Sequence, residues 1–265
     1  MKNYYQELLQ RKDLLYYLIK SGLKADNRNS YLGYFWWLLD PLLNVLVYYF
    51  LIGIILGRNI ENFAVFLVIG LVAWRWVQTT INSSAKSIIR YSSIINQVYL
   101  PKSIFPISVT FTQMFNFAFG LIVVAIFLMF YGVVPGWQSV YIPFIILTQL
   151  VFLLTLGMVL AYITVFVRDI DHLLTHITRI FFYASPIIWE GGRLRNTEYA
   201  FVVDYNPIAI IIDSYRDVLM YQQDPDFMGL TIILVASIIV FNIMVHFYSR
   251  NEHKIMKVLY KRFSN

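Results

Sequence analysis

The chain has 265 residues, of which 59% are hydrophobic, 18% aromatic and only 14% charged. A water-soluble domain of this size carries about 25% charged residues, so the composition excludes an ordinary soluble enzyme. The formal charge of +6 arises from an uneven spread of Lys and Arg and does not point to nucleic-acid binding. Cysteine is absent, which rules out disulfides and thiolate metal sites.

From the start, Met1 to Arg28 has scattered charges and no apolar core run, unlike a cleavable signal. Asn3 to Lys24 is expected to be an interfacial amphipathic helix, with Tyr5, Leu8, Leu15, Ile19 and Leu23 on one face. A bilayer core of ~30 Å needs about 20 apolar helical residues. Six runs meet or approach that length: Tyr34–Leu56, Phe63–Ile81, Ile104–Tyr131, Tyr141–Val167, Leu173–Trp189 and Phe227–Tyr248. They are long and continuous rather than short and alternating, so the spans are helices and not barrel strands. The expected fold is an all-α polytopic membrane protein with six transmembrane helices. It forms one domain over 1–265: an interfacial helix in 1–30, a six-helix core in 31–249 and a tail in 250–265.

Lys and Arg set the orientation. Six precede the first span, five follow the last, and Lys86, Arg90, Lys102 and Arg168 bring that side to 15. The other side holds Arg58, Arg193, Arg195 and Arg216, while Arg75 and Arg179 fall inside spans. Positive charge collects on the cytoplasmic side, so both termini are expected in the cytoplasm of a plasma (inner) membrane protein. The loop Ser83 to Ser103 is long enough for a short helix before Pro101. On the outside, Asn206-Pro207 resembles a helix start. The apolar run Ile208 to Ile212 behind it suggests a short re-entrant helix in the outer leaflet, between spans five and six.

The chemistry of common enzymes is missing. No phosphate-binding G-x-x-x-x-G-K-[ST] loop occurs, and no residues have zinc or calcium spacing. Asp169-Ile170-Asp171 and Asp224-Pro225-Asp226 resemble metal-holding pairs. One sits in a very short turn and the other faces outside, where activated nucleotides are scarce. Intramembrane charges are costly and face protein or water. Asp40 and Arg179 each lie about seven residues into their spans from the same side, ~10 Å deep, so they are placed to meet. They form either a packing salt bridge or a site in which Arg179 contacts an anionic substrate. Arg75, between Trp74 and Trp76, is expected to snorkel or pack. Tyr34, Trp37, Asn44 and Tyr48 share a face beside Asp40, and His176, Arg179 and Tyr183 share another. A polar stripe with aromatics suits a glycan path. Gly53 and Gly57 form a G-x-x-x-G pair of the kind that packs helices closely.

Several segments, taken in order, resemble one family. They are NSYLGYFWWLLDP opening span one, GLVAWRW in span two, QVYLPKSIFP before span three and VRD after span four. RIFFYASPIIW in span five and YNPIAIIIDSYRDVLMY after it complete the set. Together they resemble the permease subunit of ATP-binding-cassette exporters for polysaccharides, in the group that moves O-antigens and wall teichoic acids. The last two are most similar to the Gram-positive teichoic acid permeases. The resemblance implies a non-catalytic homodimer with two copies of a separate ATPase, which binds the ATP and Mg. It implies a long anionic glycopolymer on a polyprenyl diphosphate as substrate. It also implies that Lys86, Arg90 and Tyr91 belong to a coupling helix docking on the ATPase, with Arg168 and Asp169 in a second contact. Two alternatives are a small-lipid or drug exporter of the same architecture, and a membrane enzyme acting on polyprenyl-linked sugars.

Overall fold

The computed structural model describes residues 2–25, 31–57, 61–95, 100–167, 169–195 and 197–263, and among these every regular element is helical. Two helices open the chain, α1 (Lys2–Gln10) and α2 (Lys12–Ala25), followed by α3 (Trp36–Tyr48), α4 (Phe63–Arg90), the single turn α5 (Ser92–Ile95) and α6 (Ile104–Phe130). Next come α7 (Ile142–Phe166), α8 (Ile170–Ala184), the short α9 (Gly192–Arg195) and α10 (Phe201–Asp204), then α11 (Pro207–Arg216) and α12 (Phe227–Phe263). Among the described residues, five stretches are long and apolar enough to cross a membrane: Trp36–Ile55, Phe63–Arg90, Ile104–Phe130, Trp137–Phe166 and Phe227–Tyr260. The protein is thus a multi-pass membrane protein.

Helix α4 is the axis of the bundle. Its first half, Phe63 to Trp74, is apolar around the whole circumference, which is the pattern of a helix enclosed by protein, and every residue of it is buried. It packs against α3, α6, α7, α8 and α11. Small residues bring its neighbours close. A Cβ at Gly120 of α6 would stand 2.6 Å from Val72, and one at Gly157 of α7 would stand 3.0 Å from Ser84. Trp76 then stacks on Phe117 with ring centroids 4.5 Å apart. The outer helices differ: α3 and α12 bury little and expose Leu43, Leu46, Val47, Ile238, Ile239 and Ile243.

The expected boundaries hold within a few residues for spans one, three and four, and fail for spans two, five and six; the last does not stop at Tyr248 before a separate tail but continues as one helix to Phe263. Span two does not stop at Ile81 but runs on as one helix to Arg90. Lys86 and Arg90 are therefore on its last turns, and no separate helix holds them. Span five ends at Ala184, because Pro186 pushes Ser185 into extended backbone at φ −94°, ψ 148°. At about 1.5 Å per residue the 15 residues of α8 reach only ~22 Å, short of a ~30 Å core.

Helix α3 also departs from regularity. Tyr49–Ile55 forms wider π-type turns, and Gly57 follows at φ +59°. Gly53 does lie against the Phe63 ring, at 3.5 Å for an added Cβ, but Gly57 touches nothing and serves as the turn residue. The G-x-x-x-G spacing thus reads half packing and half chain reversal.

Both chain ends meet at one end of the bundle. The Tyr4 hydroxyl of α1 hydrogen-bonds the Ser103 hydroxyl at 3.0 Å and donates to Glu252 of α12 at 3.3 Å. Lys102, one of the charges counted on this side, is buried beside Glu252, whose Oε1 also accepts from the Lys102 backbone N–H at 3.2 Å. Burial pushes the Lys102 ammonium below its usual range, and Glu252 partly offsets this. The N-terminal segment is broken at Arg11 into two helices, and α2 packs on α6. Its most buried contacts are Tyr4 and Leu18, one residue off the face expected from Tyr5 and Ile19. Tyr5's side chain lies outside the described set.

Candidate functional site

Two cavities flank the middle of α4. The larger, about 560 Å³, lies between α3, α4 and α8 and is lined by Asn44, Tyr48, Trp74, Gln78, Arg179 and Tyr183 among others. The smaller, about 400 Å³, lies between α3, α4 and α6 and takes Trp36, Trp37, Trp76, Ser83 and Gln113 into its wall. Four residues belong to both walls: Asp40, Pro41, Arg75 and Thr79.

The partition is an ion pair. Arg75 Nη2 donates to Asp40 Oδ2 at 2.5 Å, with the two side chains 34% and 39% exposed. Asp40 thus pairs with Arg75, not with Arg179, which is exposed on the far wall of the larger cavity. Thr79 Oγ1 donates to the Arg75 carbonyl at 2.8 Å, and Asn44 Nδ2 donates to the Asp40 carbonyl at 2.8 Å. The charged groups on the larger cavity's wall are one carboxylate and two guanidiniums, so it carries a net positive charge.

Of the expected substrate-path residues, Asp40, Asn44, Tyr48, Arg179 and Tyr183 converge on the larger cavity. Tyr48 packs on Phe182 with ring centroids 5.6 Å apart. Trp37 is buried on the smaller cavity, against Phe119 at 4.7 Å. His176 is exposed and lines neither cavity. The Tyr34 side chain lies outside the described residues, as does all of Arg168.

The expected coupling residues gather at the end carrying the chain termini. Arg90 and Lys86 are exposed on α4, Tyr91 stacks on Phe105 with centroids 5.1 Å apart, and Asp169 is exposed at the start of α8.

At the opposite end sits a charged cluster that sequence reasoning missed. Arg216, read there as a loop charge, is 1% exposed. Its guanidinium donates to the carbonyls of Pro186, Ile187 (2.8 Å) and Phe66 (3.2 Å), and its carbon lies 3.4 Å above the Phe66 ring. Asp213 pairs with it at 3.5 Å and with Arg195 at 3.1 Å. Backbone carbonyls freed where a helix breaks must find donors inside a membrane protein, and Arg216 supplies them behind the break at Ser185. The helix bearing it begins as expected: Asn206 caps it by accepting from the Ile208 N–H at 3.0 Å, with Pro207 in the first turn. Burial lowers the Arg216 pKa to about 10 against the opposing pull of Asp213. Burial, reinforced by Asp213, raises Asp217 to about 7. The available signal was Arg216 three residues after Asp213 in an otherwise apolar helix.

Residues 13–220 match the model of the ABC-2 type transporter family. The chain is 31% identical over 235 residues to an O-antigen export system permease protein of Myxococcus xanthus, covering 88% of this chain and 90% of the relative. It is 30% identical over 209 residues to an O-antigen export system permease protein of Klebsiella pneumoniae, covering 78% and 80%. The chain belongs to the ABC-2 type transporter family, as a non-catalytic permease subunit.

Proposed function

We propose that this permease exports an anionic glycopolymer of the wall teichoic acid kind, carried on a polyprenyl diphosphate, across the plasma membrane. The observation that carries the reading is the larger cavity. It has two guanidiniums, tyrosines and amide side chains on its walls, in a chain similar along most of its length to O-antigen export permeases. Guanidinium groups suit phosphate oxygens through bidentate hydrogen bonds, and sugar rings stack on aromatic faces. The permease works as a homodimer, and energy comes from two copies of a separate ATPase that holds the ATP and Mg. The ATPase docks at the end bearing Lys86, Arg90, Tyr91 and Asp169, which is cytoplasmic by the excess of Lys and Arg there. Both termini lie on that side.

A second reading is export of an O-antigen polysaccharide rather than a teichoic acid, which the names of the relatives favour. Depleting the permease in its native cell separates the two. Lipid-linked polymer accumulates in the cytoplasm under either reading, and its phosphate content decides between them. A phosphate-free polymer removes the teichoic acid assignment, and no accumulation removes polysaccharide export itself.

A further inference from the structure

The Asp40–Arg75 pair is the shared wall of the two cavities, and its carboxylate has Arg75 as its one partner among the described residues. We infer that Arg75 is a phosphate-binding residue held closed by Asp40, an internal anion that an incoming phosphate group displaces. This rests on the anionic-substrate reading above and names the site at which the phosphate is taken.

Three observations support it. First, the larger cavity has two cations against one anion on its wall, so an added anion balances charge where an added cation does not. Second, Arg75 and Asp40 keep about a third of their side-chain surface exposed. A pair with that much solvent contact is held weakly, by a preference of about two- to fivefold, and opens readily. Third, the displaced carboxylate has a place to go. The smaller cavity also touches Asp40, and its wall includes the buried Trp76, whose Nε1–H has no partner among the described residues. An unpaired buried N–H favours an arriving acceptor. Arg179, on the opposite wall of the larger cavity, then faces the same phosphate from α8.

The phosphate has two possible sources, a diphosphate headgroup or phosphodiesters within a polymer. The test uses the full chain in nanodiscs, titrated with farnesyl diphosphate, inorganic diphosphate and farnesol, and followed by tryptophan fluorescence. Trp36, Trp37, Trp74 and Trp76 surround the pair. Asp40→Asn removes the competing anion and is expected to tighten diphosphate binding about three- to sixfold, because a two- to fivefold preference for the closed pair leaves Arg75 open only about a third to a sixth of the time. Arg75→Gln is expected to weaken it at least tenfold, and farnesol is expected not to bind. Binding of both diphosphates points to phosphate chemistry alone, and binding of farnesyl diphosphate only points to the lipid-linked headgroup. Unchanged affinity in Asp40→Asn, or wild-type affinity in Arg75→Gln, overturns the inference. If Asp40→Asn does not fold, the double variant Asp40→Asn with Arg75→Gln restores a neutral pair and must lose binding; retained affinity there overturns it equally. Polymer export by the wild-type chain with its ATPase is measured in parallel. Export that persists while these affinities stay flat removes this site and leaves the proposed function standing, whereas absent export removes the function.

Discussion

Gly70 of α4 lies directly beneath the Arg216 guanidinium: a Cβ there would come within 2.5 Å of Nη2 and 2.9 Å of the Ile187 carbonyl oxygen. The missing side chain lets α4, the broken end of α8 and α11 meet at one point. Gly70→Ala sets two effects against each other. Helix propensity favours alanine by at most ~1 kcal/mol. Displacing a buried guanidinium from its carbonyls and from Asp213 costs about 3 kcal/mol or more. The loss wins, so thermal stability in detergent is expected to fall clearly. An alanine variant as stable as the wild type would show that Arg216 is not held there.

Asp217, beside that arginine, gives a pH dependence of definite sign. Its pKa in the fold is about 7, above the ordinary ~3.9 of an unfolded chain. The folded state therefore holds the extra proton, and stability falls as pH rises from about 4 to about 7, then stays level. Full burial would make this ~4 kcal/mol at ~1.4 per pH unit; Asp217 keeps some solvent contact, so about 1–2 kcal/mol is expected. Asp217→Asn should flatten the profile and raise the melting temperature at pH 8 but not at pH 4. A variant that melts in parallel with the wild type at both values would place the titration elsewhere.

At the other end, Arg90 is exposed at the last turn of α4 and Tyr91 stacks on Phe105. Their proposed role is contact with the ATPase, so Arg90→Glu should lower polymer-stimulated ATP hydrolysis without lowering the melting temperature. Tyr91→Ala removes a packed ring and should also cost about 1 kcal/mol or more of stability, which makes Tyr91→Phe the informative variant. ATP hydrolysis by the purified chain alone would contradict the permease assignment.

The long apolar runs made five crossings legible, because nothing but helix spans hydrocarbon at that length. The break in span five was legible too, in Pro186, but an apolar run counted by hydropathy passes over it. Arg216 was not legible: its partners are carbonyls at Phe66, Pro186 and Ile187, from 29 to 150 positions away along the chain. Backbone acceptors leave no trace in a sequence. The Asp40–Arg75 pair sits between these cases. Arg75 stands six residues before Ile81, about 9 Å of helix, the same depth as Asp40. The flanking tryptophans suggested a snorkelling side chain, and Arg179, equally deep, was the competing partner.

That competition yields the last prediction. Charge reversal tells a true pair from a coincidence of depth. Asp40→Arg with Arg75→Asp rebuilds the observed contact in the opposite sense, so the double variant should recover much of the stability that either single change loses. Asp40→Arg with Arg179→Asp restores nothing, because Arg75 then faces an arginine. Arg179 alone behaves differently from both. It is exposed to the larger cavity and forms no ion pair among the described residues, so Arg179→Gln should shift stability by no more than about 0.5 kcal/mol. If it contacts phosphate, polymer export should nevertheless drop severalfold. Arg179→Lys should recover only part of that loss, since an ammonium keeps the charge but not the bidentate fork. Export and melting temperature measured on the same preparations read these effects separately. Full export by Arg179→Gln would leave Arg75 as the phosphate contact and assign Arg179 to none.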